Sequence, residues 1–196
     1  MKKETAIKIN QSTKDLYCRT IDPSEGFEIE KDGSLTIFNF SSYKSNKHNT
    51  SANVSIVENA SNTILIKVES IDWISNQQYP YSTQGCFLIQ KTVEKFNRVH
   101  LSVDRVPCTK KSIFEAVDYL TPAEVKKAEI SGRKIKRQGD FFFVEMKKKS
   151  NLDALHGSRH EFENGKVKHP EHKMLNLGSG NWKAIQRITM NTKKAD

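Results

Sequence analysis

Apolar and polar residues alternate in several separate segments of this chain, the pattern of strands with one buried face. From Phe27 to Phe38 the two arms read as a hairpin around Lys31, Asp32 and Gly33. That loop sets Ile29 opposite Leu35 and Phe27 opposite Ile37, all on one face. Further strands are expected over 53–58, over 63–70, where Ile64, Ile66 and Val68 alternate, and over 99–103. Residues 86–96 fit either a helix or a strand. The segment 41–51, rich in Ser, Asn, Lys and His, reads as a loop, and 73–84, with Trp73, Tyr79 and Tyr81, as a polar aromatic one. The first twenty-odd residues are polar and irregular and read as a loosely held lead-in.

The period changes in the middle. Ser112 with Glu115, and Thr121 with Glu124, have capping-box spacing, and Pro122 suits the first position of the second helix. Ile113, Phe114, Val117 and Leu120 form one apolar stripe; Val125, Ala128 and Ile130 form another, which Gly132 ends. Residues 133–146 then read as strand, Gly139-Asp140 turn, strand, and a last strand is expected around 182–190. The expected class is α+β: antiparallel β-hairpins with a short central helical pair. A β-rich part over 1–110 is followed by a part over 111–196 that carries the helices and the candidate chemistry, the two forming one compact domain.

Asn164-Gly165 is the sharpest local signal, because a two-residue hairpin turn needs positive φ at both positions, which Gly takes freely and Asn tolerates. Counting outward pairs Glu163 with Lys166, Phe162 with Val167, Glu161 with Lys168 and His160 with His169. The Glu-Lys pairs then share one face, and Phe162, Val167 and the two imidazoles share the other. Four of the six histidines lie between His156 and His172. In a regular strand His156 has the parity of His160, so His156, His160 and His169 can converge as metal ligands. His172 has the opposite parity, and Pro170 leaves its direction open.

Three neutral imidazoles with an open position suit a divalent transition metal, zinc first among them. Glu171 is then the acid/base candidate beside His160 and His169. Without metal, two adjacent imidazoles can divide the roles of general acid and base on a phosphodiester. In the third alternative they are a packed cross-strand pair. The His-x-x-x-His spacing is not the zincin helix motif, since its glutamate is absent and Gly157 disfavours a helix.

Charge extends this picture. The chain of 196 residues has a net charge of +9, and residues 126–149 hold nine Lys and Arg against three acidic residues. Such clustering attracts polyanions without implying sequence readout. Lys134, Lys136, Arg137, Lys147, Lys148, Lys149 and Arg159 are therefore candidate phosphate contacts with RNA or DNA. The alternative is a solvated face. No apolar run approaches bilayer length, so no membrane partner is expected. The polar amino terminus shows no secretory pattern, and three scattered cysteines show no disulfide or zinc-ribbon spacing. A reduced, cytoplasmic setting follows.

The stretch LTPAEVKKAEISGRKIKRQGDFFFVE, then LHGSRHEF, HPEH and GNWKAIQR, resembles a pattern in small proteins of unassigned function encoded by phages and bacteria. It covers about the last eighty residues, and its most specific elements are Arg137-Gln138-Gly139-Asp140 and the spaced histidines. The resemblance implies one structural unit and carries over no catalytic residue. The function expected from the residues is a nucleic-acid- or nucleotide-directed hydrolase cleaving phosphodiesters. A non-enzymatic nucleic-acid-binding module and a purely structural or interaction domain are the alternatives.

Overall fold

The computed structural model describes residues 6–16, 21–42, 48–74, 81–93 and 99–188. These divide into two compact units, one drawn from residues up to 92 with 99–117, the other from 118–188.

The first unit holds seven strands: β1 (Ile9–Leu16), β2 (Phe27–Ile29), β3 (Leu35–Ser42), β4 (His48–Ala60), β5 (Thr63–Ile74), β6 (Tyr81–Val93) and β7 (Val99–Val106). They form two sheets, ordered β1-β3-β2 and β4-β5-β6-β7. The β2–β3 hairpin has the register counted from its loop, Phe27 on Ile37 and Ile29 on Leu35. Leu35 and Ile37 from one sheet and Ile64, Ile66, Val68, Phe87, Ile89 and Leu101 from the other share a core. The polar lead-in contains β1, which runs parallel to β3 with Ile9 on Leu35 and Leu16 on Ser42. Alternation missed it because Ile7 and Leu16 anchor its ends in the core while the residues between them are largely exposed. Residues 86–93 are strand, since Phe87 and Ile89 point into this core. Strand β4 starts at His48, inside the segment expected as a loop. Half of the expected aromatic loop, Tyr79 included, lies outside the described residues. Trp73 belongs to β5 and Tyr81 to β6.

Helix α1 (Ile113–Leu120) begins with the Ser112 cap: Glu115 N–H donates to its Oγ at 3.1 Å, and the Glu115 carboxylate accepts from Lys111 N–H at 2.8 Å. Its buried stripe is Ala116 and Leu120; Phe114 is 80% exposed. In α2 (Ala123–Ile130), Pro122 itself occupies the cap position, with ψ of 141°. Thr121 is thus one residue too early to cap, and no side chain does so. Glu124 instead holds Lys183 at 2.8 Å. Val125 and Ala128 are buried, and Ile130 projects into solvent.

In the second unit β8 (Ile135–Gln138), β9 (Phe141–Met146) and β13 (Asn181–Gln186) form a sheet ordered β13-β9-β8. The strands β10 (Glu161–Glu163), β11 (Lys166–Lys168) and β12 (Leu175–Asn176) form another, ordered as numbered. Strand alternation divides β9 between two layers. Phe141 and Phe143 join Trp182, Ala184, Val167, Leu177 and Leu155 in one core. On the opposite face Phe142 and Val144 meet Val125 and Ala128 of α2. Among the described residues no helix is long and apolar enough to cross a membrane.

Candidate functional site

Asn164 (φ 50°) and Gly165 (φ 73°) make the turn between β10 and β11, and the register is Glu161 on Lys168, Phe162 on Val167 and Glu163 on Lys166. One step beyond the paired residues, His160 and His169 meet with ring centroids 4.4 Å apart. His172 stacks on His169 at 4.3 Å and lies 5.8 Å from His160. The three rings can offer one ligand atom each, all within 4.8 Å of one another. Phe141, at the start of β9, closes one side with its ring edge-on to His160 at 4.7 Å.

His172 enters through the turn His169-Pro170-Glu171-His172. Backbone N–H groups of Glu171 and His172 both donate to His169 Nδ1, at 3.2 and 3.3 Å, so the ring caps its own turn. An imidazole nitrogen that accepts these bonds carries no proton, which leaves the proton of the neutral ring on Nε2. His172 packs over the Gly139-Asp140 turn so closely that a Cβ on Gly139 would stand 2.6 Å from its Nε2. The His-Pro-x-His spacing was the available signal for this arrangement; strand parity stops being informative at Pro170.

His156 is not part of the group. It is exposed and follows a 3-10 turn over Asp153–Leu155. Gly157 at φ 78° then breaks the extended backbone that a shared parity with His160 requires.

Both ring nitrogens of His160 are buried without a hydrogen-bond partner. Burial first, and the neighbouring His169 and His172 second, push its pKa down to about 4, so the ring is neutral at pH 7. Glu171 is committed elsewhere: its carboxylate receives both arms of the Arg159 guanidinium, at 3.0 and 3.1 Å. That partner holds its carboxyl below the ordinary value, whereas a general acid at neutral pH needs the opposite shift. Cys86 offers no nucleophile, since burial and Cys108 push its thiol up to about 12.

The basic candidates separate into distinct settings. Lys136 Nζ donates to Asn176 O at 2.6 Å and lies over the Trp182 ring. Lys134 pairs with Glu145 at 3.3 Å. Arg137 is the strand partner of Phe142 and sits over its ring, which puts it on the sheet face opposite Phe141 and the histidines. Lys147, Lys148 and Lys149 are exposed and, among the described residues, make no ion pair. They follow the far end of β9, about 20 Å from Phe141 at some 3.3 Å per residue. Of the candidate cations, Arg159 is the one that reaches across the histidine turn.

No family model matches the chain, and no curated protein or solved structure was found to be similar to it.

Proposed function

We propose that His160, His169 and His172 hold a divalent transition metal ion, zinc first, and that the site is hydrolytic and directed at phosphodiesters of nucleic acid. The observation that carries the reading is the buried, partnerless pair of nitrogens on a neutral His160 facing two further imidazoles. A buried polar atom left unpaired costs about 1–3 kcal/mol, and a metal ion turns that deficit on one nitrogen into a bond. Three imidazoles leave zinc a fourth position for water, whose pKa falls to about 7 when bound. Zinc so held would supply a hydroxide nucleophile for phosphorus, the P–O ester bond breaking as the new P–O bond forms and the departing oxygen taking its proton from solvent water.

Arg159 supports an anionic substrate. Its ion pair with Glu171 is exposed on both sides, at 64% and 57%, and pairs of that kind contribute about 0–1 kcal/mol. A phosphate can therefore replace Glu171 at the guanidinium fork at little cost. The distance to the three lysines favours a polymer over a mononucleotide: about 20 Å corresponds to roughly six steps along a strand at 3.4 Å each.

One observation favours a second, metal-free reading. With Nδ1 occupied by two backbone donors, His169 keeps its proton on Nε2 while its ring stands 4.4 Å from that of a neutral His160, a pairing suited to a donor and an acceptor of protons. Binding metal through Nε2 moves that proton to Nδ1 and breaks both bonds of the turn. Metal analysis of untagged protein is the direct test. Stoichiometric zinc in wild type, its loss in His160→Ala/His169→Ala, and large amide shifts at Glu171 and His172 on loading are the results expected. Phosphodiesterase activity that persists in metal-stripped protein but disappears in either single His→Ala variant would select the metal-free alternative.

A further inference from the structure

Gln138 ends β8 beside the histidines and is 6% exposed. Its strand partner is Phe141, whose ring touches His160, and its chain neighbour Gly139 lies against His172. The side-chain amide nitrogen donates to Lys173 O at 2.5 Å and to Val167 O at 3.5 Å. Those two carbonyls bracket the segment that carries His169 and His172. The other end of the amide is unsatisfied: Oε1 is buried and has no donor. Among the described residues of this unit, the buried side-chain polar atoms without partners are Gln138 Oε1, the two ring nitrogens of His160 and Trp182 Nε1.

A histidine that binds metal through one nitrogen carries its proton on the other, and in metal sites that N–H goes to a carboxylate, a carbonyl or a water. Gln138 lacks a donor; a metal-bound His160 would lack an acceptor. We propose that Gln138 is a positioning residue for the metal centre, its Oε1 accepting the second ring N–H of His160 directly or through one water. One metal ion and one hydrogen bond then satisfy all three orphaned atoms on Gln138 and His160. This inference rests on the metal-binding reading, and it assigns a role to the Arg137-Gln138-Gly139-Asp140 turn: Gln138 orients His160, and Gly139 makes room for His172.

The test titrates zinc into the metal-stripped full chain against a chromophoric chelator, for wild type, Gln138→Met and Gln138→Glu. Methionine keeps the shape and loses both polar ends; glutamate keeps an acceptor and loses the amide donor. Gln138→Met is expected to bind zinc 10- to 100-fold more weakly, the usual consequence of removing such a partner, and Gln138→Glu to recover most of the affinity. A glutamine that merely ties the loop through its nitrogen would be missed equally in both variants, and that result overturns the proposal. Zinc-loaded wild type should also show a slowly exchanging ring N–H on His160 by nitrogen-15 NMR. Its absence overturns the proposal even where Gln138→Met does not fold. No zinc binding by wild type removes the metal reading itself, whereas normal zinc binding by Gln138→Met removes this inference alone.

Discussion

At Gly139 the missing side chain is what admits the His172 ring, and φ of +56° adds a conformational demand that only glycine meets easily. Gly139→Ala is therefore expected to destabilise the chain by about 1–3 kcal/mol through backbone strain. It should also displace His172, so that zinc affinity falls at least tenfold in the same chelator competition. His160 gives a pH dependence. In the metal-free chain its folded pKa of about 4 lies below the ordinary 6.5, so an unfolded chain takes up the proton first. The contribution to stability is complete above about pH 6.5, declines as the pH falls from there towards 4, and changes no further below that. The urea midpoint of wild type should fall relative to that of His160→Phe as the pH drops from 7.5 to 4. A constant difference across the range would refute the depressed pKa.

Strand β9 supports both layers of the second unit, so a change in it is felt on each side. Phe143 is fully buried on the face of the β13-β9-β8 sheet that shares a core with Val167 and Leu177. Phe143→Ala should cost about 3–5 kcal/mol by denaturant unfolding, the range for emptying a large aromatic site. Elements at this scale were legible where a local rule dominated. The Asn164-Gly165 turn gave the β10–β11 register because its backbone requirement has few solutions, and the same count brought His160 to His169. Reading failed where partners distant in sequence decide. Strand β1 depends on β3, more than twenty residues away, and nothing in its own pattern announces that partner. Phe114 lies outside the buried stripe that spacing suggested, because packing on Ala116 and Leu120 set which face turned inward. The third histidine of the candidate site was hidden for a related reason: a proline turn replaces strand geometry between His169 and His172.

At the scale of the molecule, the three lysines Lys147, Lys148 and Lys149 and the imidazoles occupy different places, and the two can be separated by experiment. If Lys147, Lys148 and Lys149 each meet a phosphate, replacing all three with Gln should reduce the salt dependence of duplex DNA affinity by about three units of slope, near 0.9 per contact. His160→Ala/His169→Ala should leave that slope unchanged. A triple variant with wild-type slope would show that these lysines serve solubility alone. The parallel pairing of β1 with β3 has a consequence in time as well as in space. During synthesis β1 emerges before the strand it must join, and it waits through the making of the β2–β3 hairpin. The six polar residues from Asn10 to Asp15 keep it hydrated during that interval, when an apolar strand of the same length would seek other chains. The polarity that conceals β1 in the sequence thus protects the nascent chain.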